Sequence, residues 1–244
     1  MRKFSFLRIG ICALVSVALL QSCKDDSDLT APPPVANQSF TEEFDTVSAS
    51  LARGWKIMNV SDPKGSSLWQ QGGNINPWFP AFSSNGSNAG FIGADYLSTS
   101  ADAGIISNWL ISPLVTFQNG DKISFYTRAS LYPLPAGDST DYANRMIVMK
   151  SENSGYNIGS GAESGDFTPL LDINPGYLEY HIKPSLYSPL AYPGRWTRYE
   201  ITISGQNSPK TGRFAFRYFV EGGGSNGLGS GVAIDKVEYK SVSK

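Results

Sequence analysis

Apolar and polar positions alternate in twos along most of the chain after Phe40. In Arg213 to Val220, Phe214, Phe216, Tyr218 and Val220 alternate with Arg213, Ala215, Arg217 and Phe219. Ile123, Phe125 and Thr127 alternate with Ser124, Tyr126 and Arg128. This period of two, carried by aromatic and β-branched residues, predicts strands. Similar short runs occupy Trp55 to Val60, Phe91 to Ala94, Trp109 to Ile111, Arg145 to Lys150, Arg195 to Ile203 and Val232 to Tyr239. No stretch sustains a long apolar repeat of helical period. The 25 glycines and 15 prolines fall largely between the runs, as turn punctuation. Many short strands joined by long polar loops predict an all-β domain, an antiparallel jelly-roll β-sandwich. Two loops, 61–90 and 151–194, are rich in aromatic residues and are longer than plain connectors need to be.

The first residues follow another pattern. Arg2, Lys3 and Arg8 precede an apolar run from Ile9 to Leu20. That run is about a dozen residues, short of the roughly twenty a spanning helix needs, so it is expected to be a signal peptide. Leu20-Gln21-Ser22-Cys23 resembles the lipobox of bacterial lipoproteins, which implies acylation of Cys23 as the new first residue. The only other cysteine, Cys12, lies in the leader, so the mature chain has no disulfide to form. Lys24-Asp25-Asp26-Ser27-Asp28 resembles the surface-export signal of Bacteroidetes lipoproteins. Ala31-Pro32-Pro33-Pro34 then reads as a semi-rigid extended spacer.

The expected organisation is a signal peptide over 1–22, an acidic and proline-rich tether over 23–39, and the sandwich over 40–244. The expected location is the outer membrane, lipid-anchored and exposed at the cell surface, with membrane contact through the lipid alone. Removing the leader leaves 17 basic against 21 acidic residues. That mild acidity gives no reason to expect nucleic acid as a partner.

Several separated motifs then line up in order. Phe40-Thr41-Glu42-Glu43-Phe44-Asp45 is followed by Gly54-Trp55, by Trp69, by Asn108-Trp109-Leu110-Ile111-Ser112-Pro113, by the strand from Lys122 to Arg128, and by Val232-Ala233-Ile234-Asp235-Lys236-Val237. This order resembles the choice-of-anchor J and cleaved-adhesin domains, jelly rolls related to MAM and galactose-binding-like sandwiches. The resemblance covers about residues 40–240. It implies a structural calcium ion, with Asp45 and Asp235 as side-chain ligands. Glu43 is expected to share a face of the first strand with Asp45 by period two. Asp235 falls in an apolar strand, where an unpaired carboxylate is costly. The chain departs from the family's second acid, having Lys236 there. An ion pair from Lys236 to Asp235 or Glu43 is the alternative to a metal.

Other chemistry is thinly supported. Gly222 to Gly227 matches both a dinucleotide-loop spacing and a GxSxG, but a strand follows where either motif needs a helix. The only histidine, His181, lies upstream of that serine and is expected to be a strand or loop residue. Asp166, Asp172 and Glu179 are expected to be solvated loop acids.

A binding module, not an enzyme, is therefore expected, recognising glycan or an extracellular protein. The candidate contacts are Trp69, Trp78, Phe79 and Tyr96, with core packing as the alternative, above all for Trp69. A structural component assembling with other outer-membrane proteins is the second reading, and a hydrolase the third.

Overall fold

Strand formation follows the alternation closely. The computed structural model describes residues 34–83 and 88–242. The signal peptide, Cys23 and the acidic start of the tether lie outside them. In chain order the strands are β1 (Phe40–Glu42), β2 (Lys56–Asn59), β3 (Gln70–Gln71), β4 (Ile92–Asp95), β5 (Gly104–Ile111), β6 (Val115–Phe117) and β7 (Lys122–Ala129). There follow β8 (Tyr132–Leu134), β9 (Asp138–Thr140), β10 (Met146–Ser151), β11 (Thr168–Ile173), β12 (Thr197–Thr202), β13 (Lys210–Gly223) and β14 (Gly231–Lys240). A six-residue helix, α1 (Val47–Ala52), lies between β1 and β2.

Two antiparallel sheets stack face to face. One has the order β12-β7-β14-β4-β3, with β1 also on β14; the other has β11-β10-β13-β5-β2, with β6 also on β13. The inward rows named by the alternation form the core. Phe214, Phe216, Tyr218 and Val220 of β13 are fully buried against Ile123 and Phe125 of β7 and Val232, Ile234, Val237 and Tyr239 of β14. Phe125 meets Phe216 edge-on across the two sheets at 4.8 Å. Each such ring contributes about 1.5–3 kcal/mol by leaving water. Val35–Lys244 form one compact unit.

The outer faces are covered too. On the β13 sheet, Trp109, Ile147, Met149 and Phe219 form a second buried layer with Ile158 and Phe167 of the following loop. Arg217 points outward, as the alternation places it, yet is 3% exposed. Its guanidinium donates to Ser107 Oγ at 3.0 Å and to the carbonyls of Gly161 and Glu163 at 2.7 and 3.0 Å, pinning that loop down. Burial pushes its pKa down to about 10.

Several expectations need correction. Strand β1 ends at Glu42, and the chain turns through Phe44 at φ 52°, so Glu43 and Asp45 do not share a strand face. Residues 151–194 are not all loop, because they include β11. Asp172 belongs to β11 and is bound by Arg145 at 2.7 Å rather than solvated. Glu179 lies 3.3 Å from His181 and accepts a hydrogen bond from Thr140. Asp166 and Glu179 are, as expected, exposed acids outside the strands, with Asp166 accepting from the side chains of Asn153 and Asn157. His181 is a loop residue held by Asp138 at 2.8 Å. The glycine-rich run does join two strands, β13 and β14.

Candidate ligand-binding site

The loop between β13 and β14 folds back on itself. Leu228 N–H donates to Gly222 O at 2.8 Å, and Gly227 N–H to Gly224 O at 3.1 Å. Its tip is tied down by Asp102, whose carboxylate accepts from Ser225 Oγ at 2.7 Å and whose carbonyl accepts from Asn226 N–H at 3.0 Å. Gly224 sits at φ +140°, and a Cβ there would lie 2.2 Å from the Ala101 carbonyl oxygen. Only glycine allows the loop to press this close.

Three tyrosines face this loop across a cleft of about 420 Å³. Tyr96 comes from the single turn after β4, Tyr132 from the β8–β9 hairpin and Tyr142 from the turn after β9. Tyr132 is 40% exposed and Tyr142 38%, so both rings present apolar surface to water. Their centroids are 5.8 Å apart with planes inclined by 52°. Burial first, and then the neighbouring Tyr96, Asp95 and Tyr142, push the Tyr132 phenol pKa up, so the ring stays neutral and able to donate a hydrogen bond. A second cleft of about 380 Å³, lined by Lys64, Leu97 and Thr99 among others, shares Ser225 with the first.

A buried polar network holds the cleft's floor. The Asp141 carboxylate accepts from the backbone of Ala143, Asn144 and Tyr180 at 2.8–3.0 Å. That fixes the turn in which Tyr142 takes φ 51°. Asn144 Oδ1 accepts from Tyr218 hydroxyl at 2.9 Å and from Ser230 and Gly231 N–H at 3.1 and 3.0 Å. The turn, the core and the glycine-rich loop therefore meet at one amide.

Of the four aromatic residues picked from the sequence, only Tyr96 lines this cleft. Trp69 is a correction: it is 2% exposed, with Nε1 donating to Asn108 O at 3.1 Å, so its ring offers no face to a ligand. Trp78 and Phe79 are half-buried on the outer face of the β7 sheet. The Trp78 indole covers Gly73 and Gly93, where any side chain would collide with it. Phe79 stacks on Phe91 at 4.9 Å. Tyr132, Tyr142 and Asn144 escaped the sequence reading. Long-range pairing assembles them, and no local motif marks them.

The acids expected to bind calcium lie elsewhere. Asp235 is fully buried; its Oδ2 accepts from Phe82 and Ser83 N–H at 2.8 and 3.0 Å, while its Oδ1 has no hydrogen-bond partner. Glu43 Oε2 is likewise buried without a partner. Burial, opposed by those backbone bonds, and the charge of Glu43 raise the Asp235 pKa to about 7. Lys236 makes no ion pair with any described residue, so it does not neutralise these acids. Two coupled carboxylates with an unsatisfied oxygen each suit a hard cation with oxygen ligands. Among the described residues, no three acidic, histidine or cysteine side chains gather closely enough to hold a metal by themselves.

No protein-family profile matches the chain, and no curated protein matches it. Solved structures do. A cleaved adhesin domain of Lys-gingipain superposes with a TM-score of 0.51 at 18% identity, covering 84% of this chain and 99% of that one. Another cleaved adhesin domain of Lys-gingipain, from Porphyromonas gingivalis, gives 0.49 at 22% identity over 84% and 98%. A carbohydrate-binding module in complex with β-1,4-galactotriose gives 0.39 at 11% identity over 81% and 97%. The chain has the jelly-roll fold of the cleaved-adhesin domains.

Proposed function

We propose that this protein is a non-catalytic binding module of the cell surface and that its tyrosine cleft receives a glycan. The carrying observation is the pair of exposed rings of Tyr132 and Tyr142 beside a rigid glycine-rich loop. A sugar ring has an apolar C–H face and a rim of hydroxyls. Tyrosine offers it a flat face with little conformational entropy to lose. The Ser225–Asn226 stretch and the phenol hydroxyls supply hydrogen bonds, and the cleft's size is that of a small-ligand site. Glycoside hydrolysis needs two carboxylates flanking the scissile bond, and the cleft's lining contains none.

Two further parts belong to this reading. The acylated Cys23 and the extended tether hold the domain at the outer surface of the outer membrane. Calcium, bound through Asp235 and Glu43 with loop carbonyls and with Asp45 as the family resemblance implies, fastens the backbone at Phe82 and Ser83 to β14.

The test is a glycan array probed with the protein and with its Tyr132→Ala and Tyr142→Ala variants. Binding that falls in both variants supports the reading. Binding unchanged in both removes the cleft, and absence of any glycan binding favours an assembly component with no small ligand.

A further inference from the structure

The outer face of the β7 sheet carries a second group of aromatic and charged residues, none of which lines the tyrosine cleft. Arg128 projects outward from β7 with its guanidinium carbon 3.8 Å from the centre of the Phe79 ring. Phe79 is held from below by Phe91 and from the side by Trp196, whose ring meets it edge-on at 5.5 Å. Trp196 is itself anchored, with Nε1 donating to Pro80 O at 3.0 Å. The platform under the guanidinium is therefore rigid.

Five of the seven described arginines have partners. Arg53, Arg145 and Arg198 pair with carboxylates, and Arg213 and Arg217 with carbonyls. The other two, Arg128 and Arg195, make no hydrogen bond or ion pair through their guanidinium groups with any described residue, and Arg128 Nε is buried as well. These two are neighbours. Ala129 N–H donates to Pro193 O at 2.7 Å, and Thr197 lies opposite Thr127 in the β7–β12 ladder. Arg195 falls between those two pairings. Burial first, and then the charge of Arg195, push the Arg128 pKa down.

Half-buried cations are normally paired, because removing charge from water is costly. Here Arg128 is half-buried with its Nε unpartnered, and the exposed Arg195 brings a second charge of like sign near it. An anion brought from outside relieves both the repulsion and the unsatisfied donors, and guanidinium groups match a carboxylate in shape and charge. The half-buried indole of Trp196 alongside supplies an apolar face of the kind a sugar ring stacks on. We infer that Arg128, laid on Phe79 beside Trp196, forms with the neighbouring exposed Arg195 a receptor for the carboxylate of an acidic sugar, separate from the tyrosine cleft.

The experiment is an NMR titration of the ¹⁵N-labelled protein with sodium glucuronate, following the Arg128 Nε–H and Trp196 Nε1–H signals. Sodium acetate and glucose serve as parallel titrants at matched ionic strength. The expected result is a saturable displacement of both signals by glucuronate, with acetate weaker and glucose without effect. Arg195→Gln, an exposed substitution that the fold tolerates, weakens the glucuronate affinity by roughly ten-fold, the loss of one charge-assisted bond. Arg128→Lys, read on the Trp196 Nε1–H signal that remains, abolishes the response to glucuronate, since lysine has no planar fork to lay on Phe79. Because neither reporter lines the tyrosine cleft, the result is independent of whether that cleft binds sugar. No displacement by glucuronate, or an equal one by glucose, overturns the proposal. Acetate matching glucuronate overturns the sugar assignment and reduces the site to a small-anion trap.

Discussion

The rings of Tyr132 and Tyr142 lie 5.8 Å apart and inclined by 52°, although the β8–β9 hairpin separates them in the chain. Both are about two-fifths exposed. Aromatic anchors of this kind carry a large share of a binding energy, so truncating either to alanine is expected to cost about 1–2 kcal/mol of glycan affinity, five- to thirty-fold. Isothermal titration with a ligand taken from the array checks this. The melting temperature is expected to stay close to that of the parent protein, because neither ring belongs to the core.

Gly229 closes the cleft's floor at φ +83°, and a Cβ there would lie 2.5 Å from the Tyr218 hydroxyl. That hydroxyl is bonded to Asn144. Gly229→Ala combines a strained backbone with displacement of the Asn144 network, an expected loss of about 1–3 kcal/mol. Urea unfolding measures the stability, and glycan affinity should fall alongside it.

Arg217 fastens the 157–167 loop through two hydrogen bonds from a buried guanidinium, which a third holds to Ser107 of β5. Arg217→Ala leaves two carbonyls without their donor and is expected to cost about 2–4 kcal/mol. Lysine at the same position should rescue only part of this, lacking the fork to reach Ser107 and both carbonyls together. Hydrogen exchange should rise across 157–167 in the alanine variant and little elsewhere.

Asp235 predicts a pH dependence of definite sign. Its folded pKa, about 7, lies above the ordinary 3.8, so between those values the folded protein holds a proton that the unfolded chain releases. In chelator, stability should be greatest below that window and fall as pH rises through it. Calcium favours the ionised carboxylate, so adding it at pH 8 should raise the melting temperature and flatten the profile. Asp235→Asn should be more stable than the parent in chelator at pH 8 and should not respond to calcium. Thermal scans across pH, with and without calcium, decide it.

The sandwich was legible because the inward rows of β7 and β13, and those of β14 on either side of the break at Asp235-Lys236, are written largely as alternating apolar residues. Strand β11 was hidden because Thr168-Pro169-Leu170-Leu171-Asp172-Ile173 does not alternate and carries a proline, which an edge strand tolerates. Alternation placed Arg217 outward correctly, and its burial comes from a loop some fifty residues earlier that the pattern does not encode. The site was less legible still. Trp69 and Tyr96 look alike in sequence, both being aromatic residues in polar surroundings, yet one is core and the other faces the cleft. Exposure is decided by what packs over a ring. Tyr132 and Tyr142 reach the glycine-rich loop only through Asp141, Asn144 and Ser230, contacts spanning more than eighty residues.

The most direct measurement is the glycan array with the protein and the Tyr132→Ala/Tyr142→Ala double variant side by side, both confirmed folded by circular dichroism. One or a few related glycans should be bound by the protein and lost from the variant. The same glycans bound with undiminished signal by the variant would contradict it.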